Sequence, residues 1–196
     1  MPFYAFFLSL TICAIMKKLG IFLSLITLLL CVVSCIEDQD FDQYKDLSVV
    51  PVFESSILYL ESTEDVINNV PPGPFYSQDF SFNAFSEAVF SDRVLDGVIT
   101  YEIENTTSKP LSLTLEFLND ADEVLDSESF DIDASPSGTL QRDVVYGNTG
   151  KSLDIIKNTS KIRVVAVNNG DNTSTSTISP PLVVLKSSGK FSVRVK

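Results

Sequence analysis

Cys35 is the residue whose type and position most directly indicate a chemical reaction. A thiol becomes a strong nucleophile when it loses its proton. The residues before Cys35 are Lys17 and Lys18, the apolar run Leu19–Val33 and the small residue Ser34. A basic start, an apolar core and a small residue at the boundary are typical of a secretory signal. The sequence therefore predicts a reactive cysteine directly after a signal boundary.

The segment Val32-Val33-Ser34-Cys35 resembles the bacterial lipobox. The resemblance implies that Cys35 is diacylated, that the chain is cleaved before it and that the new amino terminus is acylated. The apolar run is about 15 residues long, whereas a permanent membrane-spanning helix needs about 20 residues. An uncleaved anchor is therefore the less favoured alternative. We predict that residues 1–34 form a cleaved signal region and that Cys35 is the lipidation site.

Met16 fits the start of a secretory signal better than Met1 does. The stretch Phe3–Ile15 is apolar and has no basic residue, whereas Met16 is followed at once by Lys17 and Lys18. We interpret Met16 as the true initiator and Met1–Ile15 as an upstream extension. An unusually long signal is the alternative, so the translation of these residues stays open.

The mature chain is predicted to be strongly acidic and to lack two reactive residue types. Without Lys17 and Lys18, 12 basic residues face 26 acidic ones, which gives a net charge of −14. This charge would repel nucleic acid and disfavours docking onto anionic lipid. The chain has no histidine, and Cys13 and Cys31 lie in the signal region. These absences exclude Ser-His-Asp and Cys-His nucleophiles and an internal disulfide, and we expect no cofactor and none of the usual zinc sites.

The densest carboxylate group lies in a predicted hairpin turn and consists of Asp120, Asp122, Glu123 and Asp126. Calcium prefers such oxygen ligands, but the spacing lacks the rhythm of an EF-hand loop. Asp is also an ordinary turn residue, which is the interpretation we favour. Two carboxylates can hydrolyse a glycosidic bond without histidine, yet nothing singles out two of the 26 acidic residues. We predict no catalytic residue and no metal site, and leave calcium binding at Asp120–Asp126 open.

The residues after Cys35 are acidic and without periodicity, and include Glu37, Asp38, Asp40 and Asp42. One interpretation is a solvated tether that self-repulsion extends. The other is an address, because the pattern resembles the surface-export signal of Bacteroidota lipoproteins. We predict that residues 35–47 are a lipidated cysteine and a flexible acidic tether on the outer membrane. We expect the protein to face the cell exterior, with the periplasmic face as the alternative.

From residue 48 onward the apolar pattern predicts one all-β domain, residues 48–196. Turn signals about every 8–12 residues are typical of a β-sandwich. We predict an Ig-like antiparallel sandwich with one or two short helices, and Pro51 marks an edge strand or a strand start. The predicted strands are 48–60, 98–103, 111–117, 124–132, 139–146 and 162–167, followed by 182–185 and 191–195 on either side of Ser187-Ser188-Gly189.

The segment Phe75–Phe90 contains six aromatic residues. Phe82, Phe85 and Val89 recur at helical spacing, which predicts a short helix there. These rings could form an exposed platform for a sugar or peptide, but aromatic residues at helical spacing are more typical of a core. A second short helix is predicted at Ser152–Lys157, because Ser152 is a suitable N-cap.

Three stretches together resemble a group of flavobacterial lipoproteins of uncharacterised function with a β-rich body: Cys35–Asp42, Leu115–Gly138 and Ser187–Val195. The resemblance implies a compartment and a fold, and it brings no catalytic residues. We therefore expect a lipid-anchored protein that is not an enzyme and that binds an envelope protein or a glycan. The alternatives are a carboxylate-based glycan hydrolase, which predicts two facing carboxylates at least about 5 Å apart, and a passive structural component of an envelope complex. Binding predicts an exposed apolar patch.

Overall fold

The computed structural model describes residues 18–27, 48–71, 73–135 and 138–195. The chain divides into two units at residues 47 and 48. In the first unit, residues 18–27 are helical. Within the described residues, no helix is both long enough and apolar enough to cross a membrane. The predictions for Cys35 and for the acidic tether lie outside the described residues.

The second unit is built mainly from β-strands. Strands whose one face meets the core alternate between fully buried and less buried side chains, as β4 and β7 show most clearly with buried and half-buried residues. The elements of the described chain are, in order, β1 (Val52–Thr63), α1 (Glu64–Asn68), β2 (Gly73–Ser81), α2 (Ala88–Ser91), β3 (Val94–Asn105), β4 (Leu111–Leu118), β5 (Val124–Ile132), β6 (Leu140–Tyr146), α3 (Leu153–Asn158), β7 (Lys161–Asn168) and β8 (Leu182–Val193).

The strands form two four-stranded antiparallel sheets. Sheet A has the order β1-β8-β3-β6, and sheet B has the order β2-β7-β4-β5. The prediction of an antiparallel all-β sandwich is therefore confirmed. The strand order is that of a jelly roll, with the first strand paired to the last. The Ig-like part of the prediction is not confirmed, because an Ig sandwich pairs its first strand with its second.

The inner faces of both sheets form one apolar core. Sheet A contributes side chains such as Ile99 and Tyr101, and sheet B contributes Phe117, Phe130 and Ile162, all of them almost fully buried. The alternation that predicted β4 and β5 therefore identified their core faces correctly. The predicted helix at Ser152–Lys157 is also confirmed as α3, where the Ser152 hydroxyl accepts a hydrogen bond from the Asp154 N–H at 3.1 Å.

A cluster of phenylalanines closes one end of the sandwich. Phe85 and Phe90 lie 5.2 and 5.1 Å from the Phe191 ring, and Phe82 lies 4.5 Å from Phe85. These edge-to-face contacts are favourable for aromatic pairs. The interpretation as core is confirmed for Phe85, which is buried, and for Phe82 and Phe90, which are partly buried and pack against the core.

The same segment contains a strand that sequence reasoning missed. Residues Gly73–Ser81 form β2, which pairs with β7, whereas the sequence predicted no strand there. The helix expected to carry Phe82, Phe85 and Val89 is shorter than predicted, since α2 begins only at Ala88. The strand was obscured because β2 has no regular alternation and begins within a proline-rich turn.

The last two predicted strands are one continuous strand, β8. The glycine at position 189 predicted a turn, but in the structure it leaves room for the side chain of Phe191. A Cβ on Gly189 would lie 2.5 Å from Phe191 Cε2, and one on Gly97 would lie 2.0 Å from Phe191 Cδ1. The Phe191 ring therefore needs both glycines in order to lie flat against the sheet.

Candidate functional site

The acidic hairpin between β4 and β5 is an ordinary turn. The Asn119 carboxamide oxygen accepts hydrogen bonds from the N–H groups of Ala121 and Glu123, each at 2.9 Å. Asp122 adopts a φ of 62° and binds Lys161 Nζ at 2.6 Å. The turn interpretation is confirmed for Asp120, Asp122 and Glu123, whereas Asp126 lies in β5 and bonds to Lys151. Among the residues that the structure describes, no group of three acidic side chains is placed to hold a metal ion.

Two carboxylates of β5 point into the sandwich and share one lysine. Lys151 Nζ lies 2.6 Å from Asp126 Oδ2 and 2.6 Å from Glu128 Oε1. Those two oxygens are therefore at most twice 2.6 Å apart. The Glu128 side chain is 9% exposed and the Lys151 side chain 35% exposed. Burial lowers the pKa of Lys151, but the hydrogen bonds and charges of Asp126 and Glu128 raise that pKa by more.

Arg142 also contacts one of these two carboxylates, that of Glu128, on the side of the sandwich where the edge strands β5 of sheet B and β6 of sheet A lie. Arg142 Nη1 donates to the Ser129 carbonyl at 3.0 Å and lies 3.4 Å from Glu128 Oε2. Its guanidinium carbon stands 4.2 Å above the Phe130 ring centroid, a cation–π contact. The charges of Arg142 and Lys151 thus compensate the inward carboxylates.

Two buried tyrosines lie behind the carboxylates. The hydroxyls of Tyr101 and Tyr146 have no hydrogen-bond partner among the described residues. Burial, with a smaller contribution from the nearby Asp126 and Glu128 charges, raises the pKa of both phenols far above its usual value. Both phenols therefore stay neutral at physiological pH.

This arrangement does not give two opposed catalytic carboxylates. A retaining glycosidase holds its carboxyl groups about 5–5.5 Å apart with the sugar between them. Asp126 and Glu128 lie two residues apart on one strand, and the Lys151 ammonium fills the space between their oxygens. The ion pairs of Asp126 and Glu128 with Lys151 instead join β5 of sheet B to the segment that follows β6 of sheet A.

Replacing Lys151 by Met is expected to destabilise the domain by about 1–3 kcal/mol at pH 7. Breaking a buried ion pair costs about 3–5 kcal/mol, and the partial exposure of Lys151 reduces this value. The folded-state pKa of Lys151 is raised, so its contribution is complete below about pH 10.5 and is lost as the pH rises through the folded pKa. Urea unfolding of both proteins should show the difference shrinking at strongly alkaline pH.

The matched control is Lys186→Met on the outer face of β8. Lys186 is exposed and has no ion pair with a described residue, so its replacement should change the unfolding free energy by less than about 0.5 kcal/mol. Equal losses for the two variants would contradict a special role for Lys151.

The loops at the end of the sandwich where β1 stops bury two further charged residues. Glu64 is fully buried, and its carboxylate accepts hydrogen bonds from the Ser108 N–H at 3.2 Å and from the Ser108 hydroxyl. Lys109 is 1% exposed and donates to Asp171 Oδ1 at 2.9 Å and to the Thr173 carbonyl. These bonds tie three loops together.

The Asp171 carboxylate accepts all of its hydrogen bonds with described residues from Lys109 and Thr173. The hydrogen bond from Lys109, followed by those from the Thr173 N–H and hydroxyl, holds the pKa of Asp171 well below its usual value. Sequence reasoning identified neither Glu64 nor Lys109, because their partners lie 44 and 62 residues away. We call this group of hydrogen-bonded residues the polar clamp, and it consists of Glu64, Ser108, Lys109, Asp171 and Thr173.

An apolar pocket lies between the two sheets, and its lining includes residues of both free edge strands, β1 and β2, together with residues of β4, β5, β7 and β8. Within the two described sheets β1 pairs with β8 and β2 pairs with β7, so the second side of each strand faces outward. The pocket has a free volume of about 90 Å³. Apolar side chains from both sheets line it, among them Leu60, Phe75, Leu113, Val183 and Leu185.

The two open sides of the sandwich thus differ in chemistry. The β5–β6 side is closed by Lys151 and Arg142, whereas the β1–β2 side presents an apolar gap with the half-buried Tyr76 at its rim. Small-molecule pockets usually have about 300–1,000 Å³, so 90 Å³ suits a single apolar side chain. Exposed strand edges on either side can also pair with an extended chain.

No protein-family model matches this chain, and no curated protein matches its sequence. The VP2 subviral particle of infectious bursal disease virus is similar with a TM-score of 0.38 at 9% identity, over 74% of this chain and 32% of the VP2 chain. This chain therefore spans about a third of that relative.

A pilus protein of Bacillus endospore appendages has a TM-score of 0.35 at 7% identity, over 74% of this chain and 90% of the pilus chain. An arabinose-bound GH51 α-L-arabinofuranosidase has a TM-score of 0.35 at 14% identity, over 74% and 23%. Similarity this low indicates nothing about function.

Proposed function

We propose that this chain is a lipid-anchored outer-membrane protein that faces the cell exterior and binds another envelope protein without catalysing a reaction. The proposed anchor rests on the lipobox-like segment at residues 32–35 and on the acidic residues after it. The proposed binding role rests on one observation, the apolar pocket that the free edge strands β1 and β2 help to line.

The chemistry of the pocket favours a polypeptide as the ligand. An extended peptide can add to a free sheet edge through its backbone and place a side chain in an adjoining pocket. The twelve-residue β1 and the nine-residue β2 supply such edges, and the pocket offers room for one apolar anchor. A glycan would find few hydrogen-bonding groups on an apolar lining.

The charged side of the sandwich disfavours the hydrolase alternative. Its inward carboxylates, Asp126 and Glu128, are both bonded to Lys151, so neither is free to serve as an acid or a nucleophile. A passive structural component remains the alternative to binding, and it predicts that the pocket contacts nothing in the cell.

A photo-crosslinking amino acid in place of Tyr76 is expected to join this protein to one envelope protein in intact cells. Tyr76 lies at the pocket rim, so its substitute would touch a chain seated on the edge. The matched control is the same replacement of Tyr59, which is exposed on the outer face of β1 opposite Lys186 and points away from the pocket. We expect no specific adduct from position 59.

Filling the pocket should remove the adduct. Ala166 lines the pocket, and Ala166→Leu is expected to lower the crosslink yield about tenfold, because excluding one apolar anchor costs about 1.5 kcal/mol or more. The thermal unfolding of this variant should stay close to that of the parent. Equal yields from positions 59 and 76, or a yield that Ala166→Leu leaves unchanged, would contradict binding at this edge. A glycan adduct in place of a protein adduct would favour the other ligand class.

A further inference from the structure

The end of sheet A where β1 begins carries a group of exposed apolar side chains. They are between 42% and 72% exposed, which is unusual for so many apolar residues at one end of a small domain. We call this group the apolar end, and it consists of Val49, Val50, Val52, Phe53, Val89 and Val195.

Backbone hydrogen bonds, strand pairing and ring contacts bring these residues to the same end of sheet A. The Val195 N–H donates to the Val49 carbonyl at 2.9 Å, which joins the two chain segments. Phe53 lies opposite Phe191 in the β1–β8 register. Val89 precedes Phe90, whose ring contacts Phe191. The apolar end is therefore one region of the surface.

The charges around the apolar end are closer to balance than those of the predicted mature chain, which has a net charge of −14. Arg93, Lys190 and Arg194 are exposed there and have no ion pair with a described residue, and the Arg194 N–H donates to the Arg93 carbonyl at 2.9 Å. They partly offset the neighbouring acidic residues, which are Glu54, Glu87, Asp92 and Asp96. The domain's own repulsion from anionic lipid is therefore smaller at this end than the net charge of the whole chain predicts.

We propose that the apolar end lies on the surface of the lipid bilayer, with its valines and Phe53 at the level of the headgroups. The proposal rests on the proposed lipidation of Cys35. Twelve residues separate Cys35 from Ser48, so the two are at most about 47 Å apart when the chain is fully extended. Ser48 directly precedes the apolar end, so this part of the domain is the nearest along the chain to the proposed acyl chains.

Docking at this end would set the orientation of the domain. The acyl chains supply most of the membrane affinity, and the short tether gives the apolar end a high effective concentration at the bilayer. Even a weak contact would then keep the apolar end facing the bilayer. The polar clamp around Glu64 and Lys109 lies at the far end of the twelve-residue β1, and would point away from the membrane.

The test uses single cysteines that carry an environment-sensitive fluorophore, NBD. Cys35 is the only cysteine of the predicted mature chain and would be blocked by its acyl group, so an introduced thiol is labelled alone. Val89→Cys and Val195→Cys probe the apolar end. Val66→Cys on α1, 51% exposed at the far end of β1, is the matched control. The purified lipidated variants are reconstituted into phosphatidylethanolamine–phosphatidylglycerol vesicles with and without brominated lipid.

We expect blue-shifted emission and at least twofold quenching by brominated lipid at positions 89 and 195, and neither effect at position 66. Equal, water-like emission at all three positions, in protein that carries the acyl mass and floats with vesicles, would overturn docking and leave the anchor intact. A protein without acyl mass would overturn the proposed anchor and docking together. Emission that is shifted but unquenched by brominated lipid would show that a protein surface, such as a second copy, covers this end, and would also overturn the proposal.

Discussion

Deleting residues 182–196 is expected to leave the second unit without a cooperative fold. β8 lies between β1 and β3 in sheet A, and β1 has no other strand partner among the described residues. The deletion removes the buried side chains of Val184, Leu185, Phe191 and Val193. Each large apolar residue lost from a core costs about 2–5 kcal/mol. The four together cost about 8–20 kcal/mol, which is as large as the 5–15 kcal/mol that stabilises a typical domain. The deletion also takes away the strand partner of β1.

Circular dichroism and urea unfolding would measure this effect. The matched control removes only residues 194–196, which leaves β8 whole. It loses the backbone hydrogen bonds from Arg194 to Arg93 and from Val195 to Val49, each 2.9 Å long, so a loss of about 1–3 kcal/mol is expected. A sharp urea transition in the longer deletion would show that sheet A does not depend on its last strand.

Replacing Cys35 by Ala is expected to abolish fatty-acid labelling and to release the protein from the membrane fraction. Alanine offers no nucleophile for alkylation, and the other cysteines, Cys13 and Cys31, lie within the predicted signal region. Metabolic labelling with a radioactive fatty acid measures the first effect, and cell fractionation measures the second. Cys31→Ala, the same change four residues earlier, should keep full labelling. Labelling that persists in the Cys35→Ala protein would refute the proposed site.

The membrane face can be read in the same cells. If the parent protein faces outward, a protease added to intact cells should remove it within the time that leaves a periplasmic protein untouched. Full protection of the parent protein would instead favour the periplasmic face, while leaving the anchor at Cys35 in place.

Local patterns in the sequence predicted most single strands correctly. The alternation from Leu111 to Phe117 identified β4, and the acidic turn at 119–123 identified the hairpin to β5. Both signals depend on neighbours in the chain, because side chains alternate between faces with a period of two and turns need particular residue types. β2 and the continuous β8 were predicted less well, since their glycines and prolines serve packing or edge positions in place of turns.

The charged groups inside the sandwich could not be located in this way. Lys151 meets Asp126 and Glu128 across 25 and 23 residues, and Lys109 meets Asp171 across 62 residues. No spacing rule connects such residues, because their contact depends on which strands become neighbours. The sequence placed Asp126 in a turn cluster, whereas the fold turns its side chain inward to Lys151.

The sequence alone therefore established the two-faced strands, the acidic hairpin and the absence of histidine, and it located the cysteine on which the proposed anchor depends. The tertiary structure was needed to show that the first strand pairs with the last, that Lys151 neutralises the inward carboxylates, and that apolar surface is left at the β1–β2 edge and around Phe191. The physical reason is one of range. Periodicity and residue type act between neighbours in the chain, while strand order and leftover apolar surface result from how all eight strands bury their inner faces together.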